Sequence, residues 1–352
     1  MTDGARVSGM NDAGRSAPSP YEGAGPLPGL LLTHRPRIEQ GLSQVLSGDS
    51  LLRRILRYHA GLEDEAGQKT SSGAKFLRPS LVLFTAGEFG EAGDQALAGA
   101  LALELIHEFS LLHDDIEDGD RTRRGRATAW VRHGVGQAIN AGDLMATLAF
   151  SVVTKAGGHA TAALLEATLT MVEGQGLDLA IEGKMASVEE YLRMEQMKSG
   201  ALFSCALRLG AIVAEAEARV EEDLALLGGE AGLAFQIRDD ILGVWGSEEE
   251  TGQPQGSDLR ARKSLLVALA LEGATGRDRT ALEKIYGGPR MSDDDVGRVT
   301  GILERLGARE AAEKLCAGRL AKARAILVGV PFRRKAKEEL EELLVHLVGR
   351  LG

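Results

Sequence analysis

The stretch 101-LALELIHEFSLLHDDIEDGDRTRRGR-126 begins as an apolar run at helical spacing and ends in a block of acids followed by a block of arginines. Mixed charge alone is usually solvated surface, but here it terminates an apolar helix. Asp114 and Asp118 are four residues apart, so on a helix they stand about 40° apart around the axis and share a face. With Asp115 beside them, the like charges repel and something must offset that repulsion. Three oxygen-bearing side chains on one face suit Mg²⁺, which prefers carboxylates, water and phosphate oxygens. An ordinary acidic helix end is the competing reading of an isolated DDxxD.

A second acid pair, Asp239 and Asp240, lies in 234-AFQIRDDILGVWG-246, again after an apolar helical run. Charges inside an apolar helix are unfavourable unless they face a cavity, a metal or a partner. Two such helices facing each other can hold several cations and, between them, a diphosphate. Basic residues occur where phosphate can use them: Lys75 and Arg78 in GAKFLRP, Arg123 and Arg124 in RTRRGR, Lys198 beside Ser199 in EQMKSG, and Lys263 in SDLRARKS. Arginine offers bidentate contacts to phosphate and lysine a point charge. Any one of these is more often a surface charge; acids and bases together in a helical chain are the signal.

The rest of the chain narrows the class. It has 352 residues, 44% hydrophobic but only 4% aromatic, so a core must be built from Ala, Leu, Val and Ile. Strand-like alternation is scarce, and the composition favours helices. The net charge of −10 disfavours nucleic acid and anionic lipid as partners. Cys205 and Cys316 form no CxxC or Cys/His pattern, which argues against a zinc site or disulfide framework. No apolar run of membrane-spanning length and no signal-peptide pattern stands out, so a reducing cytoplasm is expected.

Residues 1–33, rich in Gly, Pro, Ser and Asp, read as a disordered tail; PLPGLLL within it offers an apolar anchor for a docking partner. Residues 34–352 read as one all-helical domain. Helices are expected over Pro79–Gly87, Ala96–Glu117, Gly136–Thr154, Thr161–Glu182, Val188–Ala214, Val220–Val244, Leu259–Leu271, Ser292–Leu306, Arg309–Val328 and Arg334–Leu351. Ser187 with Glu190 has capping-box spacing, and Ser292 before three aspartates suits a helix start.

Taken in order, GAKFLRP, LIHEFSLLHDDIED, RTRRGR, AGDLMATLAF, EGQGLDL, MKSGALF, FQIRDDILG and GSDLRARKS resemble the motifs of the trans-isoprenyl diphosphate synthases, or polyprenyl synthetases, most like bacterial geranylgeranyl diphosphate synthases. The resemblance implies an all-α isoprenoid-synthase bundle around a central apolar cavity, a homodimer, and Mg²⁺ as cofactor, three ions with substrate bound. It implies that an allylic diphosphate ionises, that the double bond of isopentenyl diphosphate attacks the cation, and that a proton is then lost. Carried onto this chain, Asp114 and Asp118 look like the first metal ligands, with Asp115 close by. Asp239 looks like the ligand of the remaining metal, supported by Asp240. Lys75, Arg78, His107 and Arg124 look like the isopentenyl diphosphate site. Arg123, Lys198, Lys263 and Gln236 look like the allylic diphosphate site, with Ser199 where the family often has Thr. Gln175 and Asp178 match a pair lining the cavity.

Two positions depart from the pattern. Gly243 stands where the family often has the fifth-position Asp of the second acid motif, and Gln253 where it often has a Lys that contacts the allylic diphosphate. Product length is expected to be set by the pocket floor one turn before Asp114, at Phe109 and Ser110: Ser110 leaves room and Phe109 limits it. In the family an aromatic at the Phe109 position accompanies the C20 product, geranylgeranyl diphosphate; C15 and longer products are the alternatives. A class I terpene cyclase would have little use for Lys75, Arg78 and Arg124, and a non-catalytic partner protein has only Gly243 and Gln253 in its favour.

Overall fold

Apolar residues at helical spacing become helices along nearly all of the described chain. The structure, a computed structural model, describes residues 28–70, 74–90, 93–247, 255–260, 264–288 and 291–349. Its helices are α1 (Gly29–Val45), α2 (Leu51–His59), α3 (Leu77–Phe89), α4 (Gly93–Glu117), α5 (Ala129–His133), α6 (Val135–Val153), α7 (Gly158–Ile181), α8 (Val188–Glu195), α9 (Ala201–Val213), α10 (Ala218–Trp245), α11 (Ser257–Arg260), α12 (Leu265–Gly273), α13 (Gly276–Tyr286), α14 (Asp293–Arg305), α15 (Ala308–Gly329) and α16 (Arg334–Val348).

The middle of the bundle is α4, whose Leu103, Leu105 and Ile106 are fully buried. It packs on α3, α6 and α9, and α10 packs on α9 and α15. The small aliphatic residues of the core let helices approach closely, and ring-sized volume is supplied sparingly, by Phe203 above all. Because α9 lies against both α4 and α10, the two acid-bearing helices are spaced by it. By length and hydropathy α4 could cross a membrane, contrary to expectation, but 67% of its apolar window is buried inside the bundle. It is a core helix that is apolar all round.

Local signals explain several ends. Ser187 accepts from the Glu190 amide and the Glu190 carboxylate accepts in return; Ser292 and Asp295 make the same reciprocal cap. Other boundaries differ from expectation. Helix α1 starts at Gly29, inside the stretch read as tail, and Leu30 and Leu31 of the supposed docking anchor are buried in the chain's own core. Residues 1–27 lie outside the described residues. Helix α13 was not anticipated, because its apolar face amounts to Leu282, Ile285 and Tyr286 among charges. The expected Leu259–Leu271 helix is split into α11 and α12, and Val188–Ala214 is broken by a π turn at Gln196–Gly200. The acidic stretch is followed by a short hairpin, β1 (Thr122–Arg123) against β2 (Arg126–Ala127).

Candidate active site

The last turn of α4 carries Asp114 and Asp115, and Asp118 follows with its amide donating to the Asp114 carbonyl at 2.8 Å. Asp115 is buried; Arg123 Nε donates to its Oδ1 at 2.6 Å, while Oδ2 has no hydrogen-bond partner among the described residues. Burial pushes the Asp115 carboxyl up to about 6 despite Arg123. Burial likewise pushes Asp114 up to about 6, against the pull of Lys198.

The hairpin splits the two arginines between two acids. Arg124 and Gly125 both have positive φ, as a two-residue primed turn requires. Arg123 is thereby sent to Asp115, and Arg124 reaches Glu108 with Nη2 at 2.7 Å from Oε1. A non-glycine residue in the left-handed region is strained, and the side chain of Arg124 there is tied to the buried Glu108. Burial alone would raise Glu108, but Arg124 first and His59 next hold it below the usual carboxylate range. One turn back, Glu104 is pushed up to about 8 by burial and by Glu108, so it stays protonated beside its ionised neighbour.

Lys75 and Arg78 flank Phe76, another non-glycine residue at positive φ, where the chain turns into α3. Arg78 Nη1 donates to His107 Nε2 at 3.1 Å, and its guanidinium lies 4.7 Å from the centroid of the Phe203 ring. An arginine can only donate, so His107 accepts there; burial, then Arg78, keep the imidazole neutral. His107 therefore orients Arg78 rather than adding positive charge. Burial lowers Lys75 to about 8, with Asp239 opposing.

Opposite lies the π turn. A Cβ on Gly174 of α7 would meet the Lys198 backbone nitrogen at 2.5 Å, so only glycine lets α7 close on this turn. The wider turn presents Lys198 and Ser199 together. Lys198 Nζ donates to Asp178 Oδ2 at 2.7 Å and stands 4.0 Å from Asp114 Oδ1. Burial opposes its charge, but Asp114 and Asp178 outweigh burial and hold its pKa above the usual lysine range. Ser199 Oγ is 3.0 Å from Glu195 Oε2 and 2.9 Å from Gln236 Oε1, and Gln236 Nε2 donates to Asp240 Oδ1 at 3.3 Å. Burial raises Glu195 to about 7. Protonated, it can donate to Ser199, which donates on to Gln236 and so aims that amide at Asp240. Gln175 Nε2 donates to Glu117 Oε2 at 2.6 Å.

Near the end of α10, burial pushes Asp239 up to about 7, with Asp258 adding to the rise and Lys75 opposing it. Burial first, then Glu195 and Asp258, push the Asp240 carboxyl well above the usual carboxylate range, and its Oδ2 is buried without a hydrogen-bond partner among the described residues. Among the described residues no three His, Cys, Asp or Glu side chains form a ready cage for one ion. Mg²⁺ needs no such cage, since it keeps waters and takes substrate phosphate oxygens. Orphaned carboxylate oxygens on both helices, on carboxyls that burial pushes up, fit that cation.

Phe109 is half-buried, its ring edge-on to His113 with centroids 4.8 Å apart, and the Ser110 hydroxyl donates to its own helix at His107 O, 2.8 Å away. Lys263 and Gln253 lie outside the described residues. Several site residues were not anticipated: His59, Glu104, Glu108, Phe203, Glu195, Tyr191 and Asp258. Two of them carried a signal. Glu104 and Glu108 are charges at i and i+4 inside an apolar run, the same anomaly that marked Asp239 and Asp240.

The sequence profile described as polyprenyl synthetase matches residues 60–303. The chain belongs to this family. Like the family, it is a trans-prenyltransferase with the all-α isoprenoid-synthase fold. This polyprenyl synthetase is 36% identical to the (2E,6E)-farnesyl diphosphate synthase of Mycobacterium tuberculosis, over 92% of its own chain and 93% of that protein. It is 37% identical to the geranylgeranyl diphosphate synthase of the same organism, over 78% and 81%. Its fold is similar to that of a polyprenyl synthetase from Streptomyces coelicolor A3(2), with a TM-score of 0.82, 33% identity, and 91% and 99% of the two chains covered.

Proposed function

We propose that this enzyme condenses isopentenyl diphosphate with an allylic diphosphate, with Mg²⁺, to give a trans-polyprenyl diphosphate, and that its product is geranylgeranyl diphosphate. The observation that carries the reading is Lys198: its ammonium sits between Asp114 of the first acid motif and Asp178, on a turn that also reaches the second motif through Ser199 and Gln236. One diphosphate in that space would meet carboxylates on two sides and a fixed cation on a third.

Asp114, Asp118 and Asp239 would hold Mg²⁺, with Asp115 and Asp240 supporting. The ions supply charge to the leaving diphosphate, where negative charge develops as the allylic carbon–oxygen bond breaks. Lys198 and Arg123 would bind the same group. Lys75, Arg78 and Arg124 would bind isopentenyl diphosphate, with His107 orienting Arg78 and Glu108 orienting Arg124. The apolar walls of α4 and its neighbours would keep water from the cation. The isopentenyl double bond attacks the allylic carbon, and the proton lost afterwards goes to the released diphosphate.

The half-buried Phe109 favours C20. The greater coverage of the farnesyl diphosphate synthase relative supports C15 as the second reading. A homodimer is part of the proposal, supported by the exposed Leu165, Leu169 and Val172 of α7 and the exposed Val135 and Ile139 of α6. So is a cytoplasmic location, supported by the free, buried cysteines. The test is to supply isopentenyl diphosphate with dimethylallyl, geranyl or farnesyl diphosphate, with and without Mg²⁺, and to size the dephosphorylated alcohols. A Mg²⁺-dependent C20 alcohol supports the proposal; C15 alone moves it to the second reading; no condensation with any primer overturns it.

A further inference from the structure

The C-terminal end of α2 grips the hairpin that carries Arg123 and Arg124. The last carbonyls of a helix lack partners within it and lie at the negative end of its dipole, so they favour cations. Here the hairpin supplies them. Arg124 Nη1 donates to the His59 carbonyl at 3.3 Å. Arg126 donates to the Tyr58 carbonyl, and its guanidinium lies 4.4 Å from the centroid of the Tyr58 ring. The Tyr58 hydroxyl donates back to the Ala127 carbonyl at 2.6 Å. Arg124 sits at positive φ, a conformation that persists only where the surroundings over-determine it. Contacts from α2 on residues 124, 126 and 127 are of that kind.

The His59 side chain reaches further. Glu108 and Asp115 stand two helical turns apart on α4 and share a face, and the buried imidazole lies against both. Its Nε2 is 3.1 Å from the Glu108 carbonyl oxygen and 3.3 Å from Glu108 Oε2, while Nδ1 stands 4.0 Å from Asp115 Oδ2. Both oxygens near Nε2 are acceptors, because Glu108 is ionised, so Nε2 carries the proton and donates. The Glu108 carboxylate thus meets a donor at each oxygen: Arg124 at Oε1, 2.7 Å away, and His59 at Oε2. We infer that Tyr58 and His59 are positioning residues for isopentenyl diphosphate, His59 by fixing the carboxylate that aims Arg124, and Tyr58 by fixing the strand that follows it. This rests on the reading that Arg124 binds isopentenyl diphosphate. At 4.0 Å the imidazole makes no hydrogen bond to Asp115, so the allylic side, served by Arg123, should feel His59 much less.

The experiment is steady-state kinetics of the full-length protein with Mg²⁺, varying isopentenyl diphosphate and each allylic primer in turn. The variants are His59→Phe, His59→Gln, Tyr58→Phe, Glu108→Gln and the His59→Phe/Glu108→Gln double variant, with circular dichroism to check folding. His59→Phe keeps a ring and loses the donor; His59→Gln restores an amide donor near the place of Nε2. His59→Phe should raise the KM for isopentenyl diphosphate by about tenfold, the scale of one hydrogen bond to a charged group, with kcat and the KM for the primer little changed. His59→Gln should recover part of that rise. Tyr58→Phe, which removes only a hydroxyl, should shift the same KM in the same direction by less, and it decides the matter if His59→Phe does not fold. The double variant should lose no more than Glu108→Gln alone, because His59 acts through Glu108. A wild-type KM for isopentenyl diphosphate in the folded His59 and Tyr58 variants would overturn the proposal. So would an equal rise in both KM values, as a general loosening of the fold gives, or additive losses in the double variant. Each of these leaves Arg124 as a substrate ligand. Absence of condensation by the wild type would overturn the substrate reading and this proposal together.

Discussion

Lys198 and Asp178 form an ion pair in the site's interior, Nζ to Oδ2 at 2.7 Å, and the same ammonium stands 4.0 Å from Asp114 Oδ1. The π turn fixes the lysine backbone and Asp178 fixes its head, so the charge is already in place when a diphosphate arrives. Preorganised charge of this kind stabilises a leaving group without reorganisation at the moment of reaction.

Lys198→Ala should therefore lower kcat by about 10²–10³-fold, the usual effect of deleting one preorganised donor. Lys198→Arg should recover part of the loss, because charge survives while geometry shifts. Asp178→Asn should raise the KM for the allylic diphosphate more than it lowers kcat, since it loosens the lysine without removing it. Steady-state kinetics with each primer separate these outcomes, and a Lys198→Ala variant with wild-type kcat would remove the residue from the chemistry.

Binding of Mg²⁺ should depend on pH with a defined sign. Burial raises the carboxyls of Asp114 and Asp115 to about 6 and that of Asp239 to about 7. These groups hold protons in the metal-free fold up to those values, and a cation takes only the ionised form. Affinity is thus full near pH 8 and is lost as pH falls through about 7 and then about 6. Calorimetry in buffers of different ionisation enthalpy should show protons released on binding at pH 6.5 and almost none at pH 8. Proton uptake at pH 6.5 would contradict the assignment.

Much of this was readable in the chain itself, and the unread part has a common physical cause. Asp114, Asp118 and Asp239 announce themselves because charge interrupts an apolar helix, and the end of α4 was legible for the same reason. The π turn was not legible: it arises from close approach of Gly174 to Lys198, a tertiary contact between residues 24 positions apart. The role of His59 depends on contact with Glu108 and Asp115, far along the chain. Asp258 could not be found from spacing, because its carboxylate meets Gly243 of α10 only through the fold. Helix α1 was missed because Gly and Pro preceding it dominated the composition, although Leu30 and Leu31 are core residues.

Two copies should associate through α6 and α7. Leu165, Leu169 and Val172 recur at spacings of four and three along α7, and Leu169 is 65% exposed. An exposed apolar stripe of this length is uncommon on a surface that stays in water. In a two-fold interface each substitution acts twice. Leu169→Asp should convert a dimer to a monomer at micromolar concentration in sedimentation velocity, with unchanged helical content. A wild type that sediments as a monomer at all concentrations would sink the dimer, and a dimer unaffected by the change would place its interface elsewhere.

The product-length assignment turns on Phe109, and its neighbours supply a second way to test it. The Phe109 ring is edge-on to His113, and His113 in turn nests against Gly142 of α6, where a Cβ would come within 2.5 Å of the imidazole Cδ2. The ring is thus propped from one side by an imidazole that has room only because residue 142 is glycine. Phe109→Ala removes the ring and should move the main alcohol from C20 to C25 or longer, with a stability loss below the roughly 3–5 kcal/mol seen for fully buried phenylalanines, since Phe109 is only half-buried. Gly142→Ala keeps the ring and displaces its prop, so it should broaden the product distribution without a single new length. Both are read by sizing dephosphorylated products made from farnesyl diphosphate. If Phe109→Ala still stops at C20, the floor lies deeper than α4's penultimate turn, and the ring serves only the packing of α4 on α6.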